Sequence, residues 1–434
     1  MNTLPDYTGL PRGVADYLPA RAATIAAIEG QLLQVAGQWG FQRIMPPALE
    51  FEEVLASGMG EGLRSRTFRF DDWQSGRMLA IPPDITPQIA RIVATRLRGR
   101  PLPHRICYSG RVLRHAELQS GRSREIFQAG VELIGLDSPE ADAEMVAMAV
   151  ELMQGLGIAE FTVDLGQVAF CRGVFEASGL TGEPLQQMQA AVARKDASAV
   201  AALLAVHPVP EQSRQELLAL PRLFGGREVL EDALRVVKNE VSCRALHNLH
   251  EVVAILELHG VTRYLTIDLG ETRGLDYHTG LTFEGFAPGV GEALFSGGRY
   301  DDLTARYGLP APATGFTCNV LPLVQALEAT AAGCGGEPRR DLLLFNQRAD
   351  RQEALAIARA LRGQGFSVAR DIIRRDFESS LAYARATGIR CMLVIDQPEV
   401  GCLLVRSSDG KQTKITREQL LQDGFLRQHD LFQE

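Results

Sequence analysis

Apolar residues repeat along the chain with two different periods, and each period predicts one type of element. In residues 20–38 they recur at the three- and four-residue spacing of one helix face. These positions are Ile25, Ile28, Leu32, Leu33 and Val35. Pro46 and Pro47 come next, and they predict an extended segment because a proline restricts the residue before it to extended conformations. The helical spacing returns from Glu140 to Leu156.

A two-residue period dominates the segment Arg111–Gly135, RVLRHAELQSGRSREIFQAGVELIG. It predicts two strands joined by a turn at Ser120 and Gly121. The hairpin would bring three arginines beside one another: Arg114, Arg122 and Arg124. A guanidinium group offers a planar fork of donors that matches phosphate or carboxylate, so these residues are a candidate anion-binding cluster. A solvated strand face is the alternative interpretation.

Helical and strand patterns further along the chain indicate its domain organisation. Helical patterns fill the sequence from Gly166 to Gly260, and RYLTIDLG then restores a strand pattern. The segment AAGCGGEP has the glycine content of a linker, and beyond it LLLF, FSVARDI, CMLVID and CLLVRSS alternate with two helices. The predicted domains are a core over residues 1–330 with an insertion at about 167–260, a linker over 331–338, and a small α/β domain over 339–434.

Composition limits the functions that the chain can have. The 434 residues are 46% hydrophobic and carry a net charge of −8, which allows large cores and argues against a dedicated nucleic-acid binder. The seven cysteines include no CxxC pair, which indicates reduced thiols in a cytoplasm and no metal site. No apolar run approaches the roughly 18 residues of a membrane helix, and no signal-peptide pattern is present. Neither membrane insertion nor a cofactor is expected.

The predicted hairpin also carries a family resemblance. The segment Tyr108–Gly135 resembles the second signature motif of class II aminoacyl-tRNA synthetases in its histidyl-tRNA synthetase form, with Arg114 at the phosphate-binding arginine. Five further blocks match in order: LPRGVADYLP, GFQRIMPPALE, PPDITPQIAR, TRGLDYHTGLTFE and FSGGRYDDL. The resemblance covers roughly residues 5–330. It implies a class II synthetase-like α+β fold, with an antiparallel sheet flanked by helices, and a dimer formed through the first motif around Pro47.

Three departures separate this chain from the synthetase pattern. Where the third motif of the family carries glutamate and then an ATP-binding arginine, the chain reads Leu321 and Pro322. Proline has no charge, and its fixed φ suits the first turn of a helix. Ala116 replaces a carboxylate of the second motif, and Ile85 replaces a glycine, which is expected to put a bulky side chain into the pocket floor. With these changes the chain resembles the histidyl-tRNA synthetase paralogues that serve as regulatory subunits of ATP phosphoribosyltransferase.

That resemblance implies partners and a ligand. Members of the family act with a short catalytic subunit, and the pair condenses ATP with phosphoribosyl pyrophosphate in the first step of histidine biosynthesis, under feedback by L-histidine. The implied histidine-binding residues are Asp84, Thr86, Gln128, Glu132, Arg273, Tyr277, His278 and Tyr300. Gln128 and Glu132 are four residues apart and are therefore predicted on one strand face, where Glu132 would accept the N–H of the ligand ring.

The remaining roles also come from the resemblance. Asp84 and Thr86 would hold the ammonium group of histidine, Arg273 its carboxylate, and Tyr300 would supply a hydroxyl group. His278 stands where the family has a second tyrosine, which brings a titratable ring into the pocket. The alternative is a vestigial pocket whose polar residues satisfy one another.

Three hypotheses for the function remain open. The first is a non-catalytic regulatory subunit. The second is an active histidyl-tRNA synthetase that tolerates the departures, favoured by a C-terminal domain that resembles the anticodon-binding domain of class IIa synthetases. Basic residues are sparse in that domain, however, so tRNA binding is not expected. The third is a stand-alone paralogue that binds histidine or tRNA.

Overall fold

The computed structural model describes residues 9–115, 123–272, 277–329, 340–346, 348, 351–373, 375–397 and 401–432. The chain divides into two compact units, Met1–Gly335 and Gly336–Glu434. The helices of this described part include no candidate membrane span.

The first unit contains twelve strands and twelve α-helices within its described residues. Its strands are β1 Gln42–Arg43, β2 Glu50–Phe51, β3 Phe68–Asp71, β4 Met78–Ile81, β5 His104–Leu113, β6 Glu125–Ile134, β7 Thr162–Gln167, β8 Phe224–Gly225, β9 Leu265–Asp268, β10 Leu281–Phe286, β11 Phe295–Arg299 and β12 Ala313–Asn319. Its helices are α1 Pro19–Gln38, α2 Glu52–Ser57, α3 Glu61–Arg64, α4 Thr86–Thr95, α5 Pro139–Gly155, α6 Val168–Ser178, α7 Gly182–Ala193, α8 Ala197–Val206, α9 Glu211–Ala219, α10 Glu228–Val236, α11 Glu240–Leu258 and α12 Val320–Ala329.

A large sheet forms the centre of the first unit. Among the described residues its nine strands run in the order β1-β5-β6-β12-β11-β10-β7-β9-β8. Neighbouring strands are antiparallel except in the β1–β5 and β7–β9 pairs. A smaller sheet has the order β2-β4-β3. This mostly antiparallel sheet with flanking helices confirms the predicted class II synthetase-like α+β fold.

Strand β6 divides the apolar core from the open face of the large sheet. The residues of β6 that join α1 and α5 in the main core are Phe127, Ala129, Val131 and Leu133. Gln128 and Glu132 face the opposite side, because side chains alternate across a strand. The prediction that these two residues share one strand face is therefore confirmed.

Small residues lie beside Glu132 on the open face. Its partners in register across the sheet are Gly315 on β12, Gly298 on β11, Thr282 on β10 and Gly166 on β7. Three of these four carry no side chain. The sheet surface next to Glu132 therefore carries few side chains and leaves room for a cavity.

The predicted helices of the first unit are present. Helix α1 covers Pro19–Gln38, where residues 20–38 were expected, and α5 covers Pro139–Gly155, where 140–156 were expected. Both begin with proline in the first turn. The N–H groups of this turn have no acceptor within the helix, so the missing N–H of proline costs no hydrogen bond. Helices α6 to α11 fill the predicted helix-rich stretch. The turn predicted at Ser120 and Gly121 lies outside the described residues.

The second unit is a small α/β arrangement. Its elements are β13 Leu342–Asn346, α13 Gln352–Gly363, β14 Val368–Arg370, α14 Phe377–Ala386, β15 Cys391–Gln397, β16 Gly401–Arg406, β17 Gln412–Ile415, α15 Arg417–Leu421 and α16 Phe425–Gln428. Its sheet has the order β14-β13-β15-β16-β17, in which β13 is parallel to both neighbours and the other pairs are antiparallel. The linker predicted over 331–338 lies outside the described residues.

Candidate functional site

A cavity of about 340 Å³ lies on the open face of the large sheet. We call it the Glu132 cavity. The predicted site residues that line it are Asp84, Thr86, Arg114, Gln128, Glu132, Tyr277, His278 and Tyr300. Arg273 and Arg122, also predicted, lie outside the described residues. The sequence blocks that carry these residues are far apart in the chain, and the sheet brings them to one place.

Glu132 is the centre of a hydroxyl network in this cavity. Its Oε1 accepts hydrogen bonds from Thr86 Oγ1 at 2.7 Å and from Tyr108 Oη at 3.0 Å. Its Oε2 accepts from Tyr300 Oη. Tyr108 Oη also lies 2.7 Å from Thr317 Oγ1 on β12. Three hydroxyl groups from three different parts of the chain therefore hold the carboxyl group in one orientation.

Burial raises the pKa of the Glu132 carboxyl well above its usual range, against the opposing hydrogen bonds from Thr86 and Tyr108. The Asp84 carboxylate raises it further. Among the described residues, no lysine or arginine forms an ion pair with Glu132. Two other buried carboxylates of the unit are paired in this way, Glu50 with Arg91 at 2.6 Å and Asp142 with Arg299 at 3.0 Å. A cationic ligand group would supply Glu132 with the missing counter-charge.

The loop before α4 carries the next side of the cavity. Asp84 Oδ1 accepts a hydrogen bond from the Thr86 backbone N–H at 3.1 Å, and Gln128 Oε1 accepts one from the Ile85 N–H at 3.2 Å. These bonds fix the first turn of α4 against β6. Ile85 itself is buried in an apolar cluster that includes Ile89, and it does not line the cavity. The expectation that its side chain occupies the pocket floor was wrong, because the side chain turns into the core.

Arg114 lines the cavity, and its guanidinium group is hydrogen-bonded to neighbouring residues of the chain. Its Nε donates to the Pro83 carbonyl oxygen at 2.6 Å, and its Nη2 donates to Asp84 Oδ2 at 3.2 Å. Arg124 bonds to Arg114 through the backbone, with its carbonyl oxygen accepting the Arg114 N–H at 2.9 Å, but its side chain does not line the cavity. Of the three predicted anion-binding arginines, the structure therefore brings only Arg114 into the described part of the site.

Two tyrosine rings and His278 also line the cavity. The ring centroids of Tyr277 and Tyr300 are 5.6 Å apart, and Tyr277 meets the His278 ring edge-on at 5.1 Å. Burial lowers the pKa of His278 to about 4, although its hydrogen bond with the Arg299 backbone opposes the change. Burial also raises the pKa of Tyr277 well above its usual range. Both rings are therefore neutral near pH 7.

Helix α12 begins directly after Asn319, which lines the cavity. Pro322 is buried in the first turn of α12, which agrees with the predicted structural role, and Leu321 packs against the main core. Neither side chain carries a charge. Among the described residues that line the cavity, Arg114 is the only arginine and there is no lysine.

Sequence reasoning missed Tyr108 and Thr317. Tyr108 Oη would lie only 2.7 Å from a Cβ added at Gly130, so the glycine makes room for the phenol. The glycine two residues after Gln128 was the available signal, but the register that places it opposite Tyr108 could not be read from the sequence.

Replacing Gly315 by alanine is expected to disrupt this site. The added Cβ would clash with Glu132 Oε2 and with the Val131 carbonyl oxygen, and the backbone cannot move aside within the sheet. We expect a loss of about 1–3 kcal/mol in the free energy of unfolding, measured by chemical denaturation.

The matched control is Gly30→Ala in α1, where an added Cβ meets nothing within 4 Å. It is expected to leave stability unchanged or raise it by about 0.5–1 kcal/mol, because alanine favours the helix. Equal effects of the two substitutions would contradict the proposed packing at Gly315.

Comparisons with known proteins agree with this architecture. The family model described as Histidyl-tRNA synthetase matches residues 13–323. A solved structure described as an ATP phosphoribosyltransferase regulatory subunit/histidyl-tRNA synthetase from Bacillus halodurans C is 27% identical with a TM-score of 0.80, covering 91% of this chain and all of that one. The histidyl-tRNA synthetase of Nostoc sp. PCC 7120, at 20% identity and TM-score 0.79, covers 95% of this chain and 97% of its own, and shows the fold alone.

Curated relatives are much more similar in sequence. The ATP phosphoribosyltransferase regulatory subunit of Geobacter sulfurreducens is 59% identical, and the alignment covers 97% of each chain. The protein of the same name from Geobacter metallireducens is 58% identical over 98% of each chain. These names agree with the predicted non-catalytic role. The chain therefore belongs to the histidyl-tRNA synthetase family and, within it, to the ATP phosphoribosyltransferase regulatory subunits.

Proposed function

We propose that this chain binds the short catalytic subunit of ATP phosphoribosyltransferase and, in the resulting complex, senses L-histidine through the Glu132 cavity. The complex would catalyse the first step of histidine biosynthesis, and this chain would make that step subject to feedback. The observation that carries the proposal is the composition of the cavity lining, which contains the polar residues implied for histidine but, among the described residues, Arg114 as its only arginine or lysine.

The volume and the polar lining of the cavity support histidine as the ligand. A volume of about 340 Å³ is ample for one amino acid. Asp84, Thr86 and Gln128 offer oxygen acceptors for an ammonium group, and Glu132, hydrogen-bonded to Thr86, offers a buried carboxyl group to the ring. Arg273, outside the described residues, is proposed to hold the carboxylate. Tyr300 would fix the orientation of Glu132 through its hydroxyl group.

The residues at the positions of the family's ATP-binding motifs argue against activation of histidine by ATP. Pro322 and Leu321 replace the ATP-binding arginine and the glutamate before it, and Arg114 is engaged by Asp84. Each lost charge-assisted contact costs about 1.5–3 kcal/mol, so two or three would slow adenylation by roughly two to seven powers of ten. The same pocket could therefore recognise histidine without activating it.

Self-association is part of the proposal. The segment around Pro47 exposes Met45 and Leu49, whose side chains are 72% and 46% accessible. Gln88 holds this segment by donating to the Pro47 carbonyl oxygen at 2.8 Å. A dimer through this first motif would cover both apolar side chains. Feedback then requires that histidine bind two quaternary states with different affinity. A ligand with equal affinity for both states does not change their populations.

Two measurements on purified protein separate this proposal from its alternatives. We expect the chain to form a stable complex with the short catalytic subunit of the same organism in size-exclusion chromatography with light scattering. We also expect no histidine-dependent exchange between pyrophosphate and ATP, measured beside a complete histidyl-tRNA synthetase as the positive control. Exchange at a rate close to that control would favour a synthetase instead. Histidine binding without a complex would favour a stand-alone sensor.

A further inference from the structure

The helical stretch α6–α11 contacts the large sheet at the end of β9. We infer that Lys195, in the turn between α7 and α8, is a positioning residue for histidine. Its ammonium group holds residues 268–271, which precede Tyr277 and His278 of the Glu132 cavity in the chain. This inference rests on the proposed function, because it assumes histidine as the ligand. It gives the helical stretch a part in ligand binding, although none of its described residues lines the cavity.

The backbone at Lys195 is held in an unfavourable conformation. Its φ is +57°, and no other residue except glycine has a positive φ in the described part of the chain. The Lys195 N–H donates to the Val192 carbonyl oxygen at 2.9 Å, and the Asp196 N–H donates to the Ala191 carbonyl oxygen at 3.0 Å. This is the Schellman pattern that ends a helix, in which glycine is the usual residue. Lysine is strained here where glycine would not be, so its side chain is expected to have a role.

The contacts of the Lys195 side chain account for a lysine at this position. Its Nζ donates to Asp268 Oδ1 at the end of β9, and this oxygen also accepts the Gly270 N–H at 2.9 Å. The two charged side chains are 29% and 23% exposed, so the pair is largely shielded from water. A Cβ added at Gly270 would lie only 2.6 Å from Nζ. The glycine therefore leaves the space that the ammonium group occupies.

Two further contacts join the helical stretch to the same segment. Cys171 Sγ on α6 donates to the Leu269 carbonyl oxygen at 2.9 Å. The Leu269 N–H donates to the Leu223 carbonyl oxygen at 2.9 Å. Both polar backbone groups of Leu269 and the side chain of Asp268 are therefore bonded to the helical stretch. Of these three partners, Lys195 is the one that carries a charge.

A second, smaller cavity adjoins the Glu132 cavity. Its volume is about 130 Å³, and the two cavities share three lining residues: His278, Ser296 and Gly297. Asp268 and Glu271 also line the smaller cavity. The segment that Lys195 holds therefore borders the same small space as His278, a residue of the proposed histidine site.

The charge of the smaller cavity makes the ammonium group important. Four carboxylate residues line this cavity: Asp164, Asp268, Glu271 and Glu284. Carboxylates that share a partly buried space repel one another, and Lys195 offsets the charge of Asp268. Without the ammonium group, we expect this repulsion to displace residues 268–271 and, with them, the ring of His278. The binding-competent arrangement would then be less populated, so the affinity for histidine would fall.

Three substitutions separate ligand affinity from stability. Lys195→Met and Lys195→Gly both remove the ammonium group, but only glycine relieves the strained backbone. Isothermal titration of the full chain is expected to give a dissociation constant for histidine about 3- to 30-fold higher in both variants. In chemical denaturation, Lys195→Gly is expected to be more stable than Lys195→Met. Lys238→Met changes an exposed lysine of the same helical stretch and is expected to bind histidine like the wild-type chain.

A further variant identifies the partner of the ammonium group. Asp268→Asn removes the carboxylate, so adding Lys195→Met to it is expected to cause little further loss of affinity. Full additivity of the two losses would overturn the inference. Wild-type affinity in Lys195→Gly would also overturn it, because any loss in Lys195→Met would then follow from instability alone. If the wild-type chain itself bound no histidine, the proposed function would fail, and the inference with it.

Discussion

Substitution of Glu132 by glutamine is expected to weaken histidine binding by about 100-fold or more. The carboxyl group is buried, and three hydroxyl groups hold it towards the place where the ligand ring would lie. Glutamine has nearly the same shape but no charge, and its NH₂ group would face donors instead of acceptors. Removing one partner of a buried, hydrogen-bonded charge pair typically costs about 2–5 kcal/mol, and about 1.4 kcal/mol corresponds to a factor of ten.

The same substitution is expected to change how the stability of the protein depends on pH. The pKa of the Glu132 carboxyl is raised in the folded protein, so folding favours its protonated form. That contribution is fully present below the unfolded pKa, near 4.3 for glutamate, and is lost as the pH rises through the folded pKa. Glutamine does not titrate. The difference in unfolding free energy between Glu132→Gln and wild type is therefore expected to shift in favour of the variant as the pH rises above about 4.3.

Glu144→Gln is the matched control for the binding experiment. Glu144 is a carboxylate of α5 that pairs with Arg105, and Arg105 lies on the opposite face of the sheet from the cavity. This control is expected to leave histidine affinity unchanged. Histidine affinity of Glu132→Gln within a few-fold of wild type would show that the carboxyl group does not contact the ligand.

Replacing Arg299 by leucine is expected to lower the free energy of unfolding by about 3–5 kcal/mol, the cost of leaving a buried charge without its partner. The Arg299 side chain is 7% exposed, and its Nε donates to Asp142 Oδ2 at 3.0 Å. Its Nη1 and Nη2 donate to the Leu136 and Ser138 carbonyl oxygens, both at 3.3 Å. This arginine therefore ties the end of β11 to the start of α5.

A double variant isolates the charge effect in that prediction. Asp142→Asn removes the buried negative charge, so Arg299→Leu should cost less in its presence than in the wild-type chain. Arg235→Leu is the control, because Arg235 is 71% exposed beside Glu231 and Asp232 on α10. That substitution is expected to change stability by no more than about 0.5 kcal/mol. Strict additivity of the first two substitutions would contradict a direct pair between Arg299 and Asp142.

The sequence predicted those features that depend on local periodicity. Alternation along β6 was enough to place Gln128 and Glu132 on one face. The conformational restriction of proline was enough to assign Pro322 to the first turn of a helix. Both predictions use only the geometry of a single element, so no knowledge of the tertiary arrangement was needed.

The hydroxyl network could not be predicted in the same way. Tyr108 and Thr317 are 209 residues apart in the chain, and their contact depends on the order of strands β5, β6 and β12. Strand order and register join segments that are far apart in the chain, so the pattern of any one segment does not determine them. The pairing of Arg114 with Asp84 has the same origin, because the loop before α4 brings a carboxylate to a residue that the motif alone assigns to phosphate.

We propose that histidine binding to this chain controls the transferase activity of the complex. The most direct test is the rate of phosphoribosyl-ATP formation by the short catalytic subunit of the same organism, with and without this purified chain. We predict that the chain increases the rate, that histidine reverses the increase, and that the reversal is lost in a complex containing Glu132→Gln. An unchanged rate at saturating concentrations of this chain would contradict a regulatory role for it.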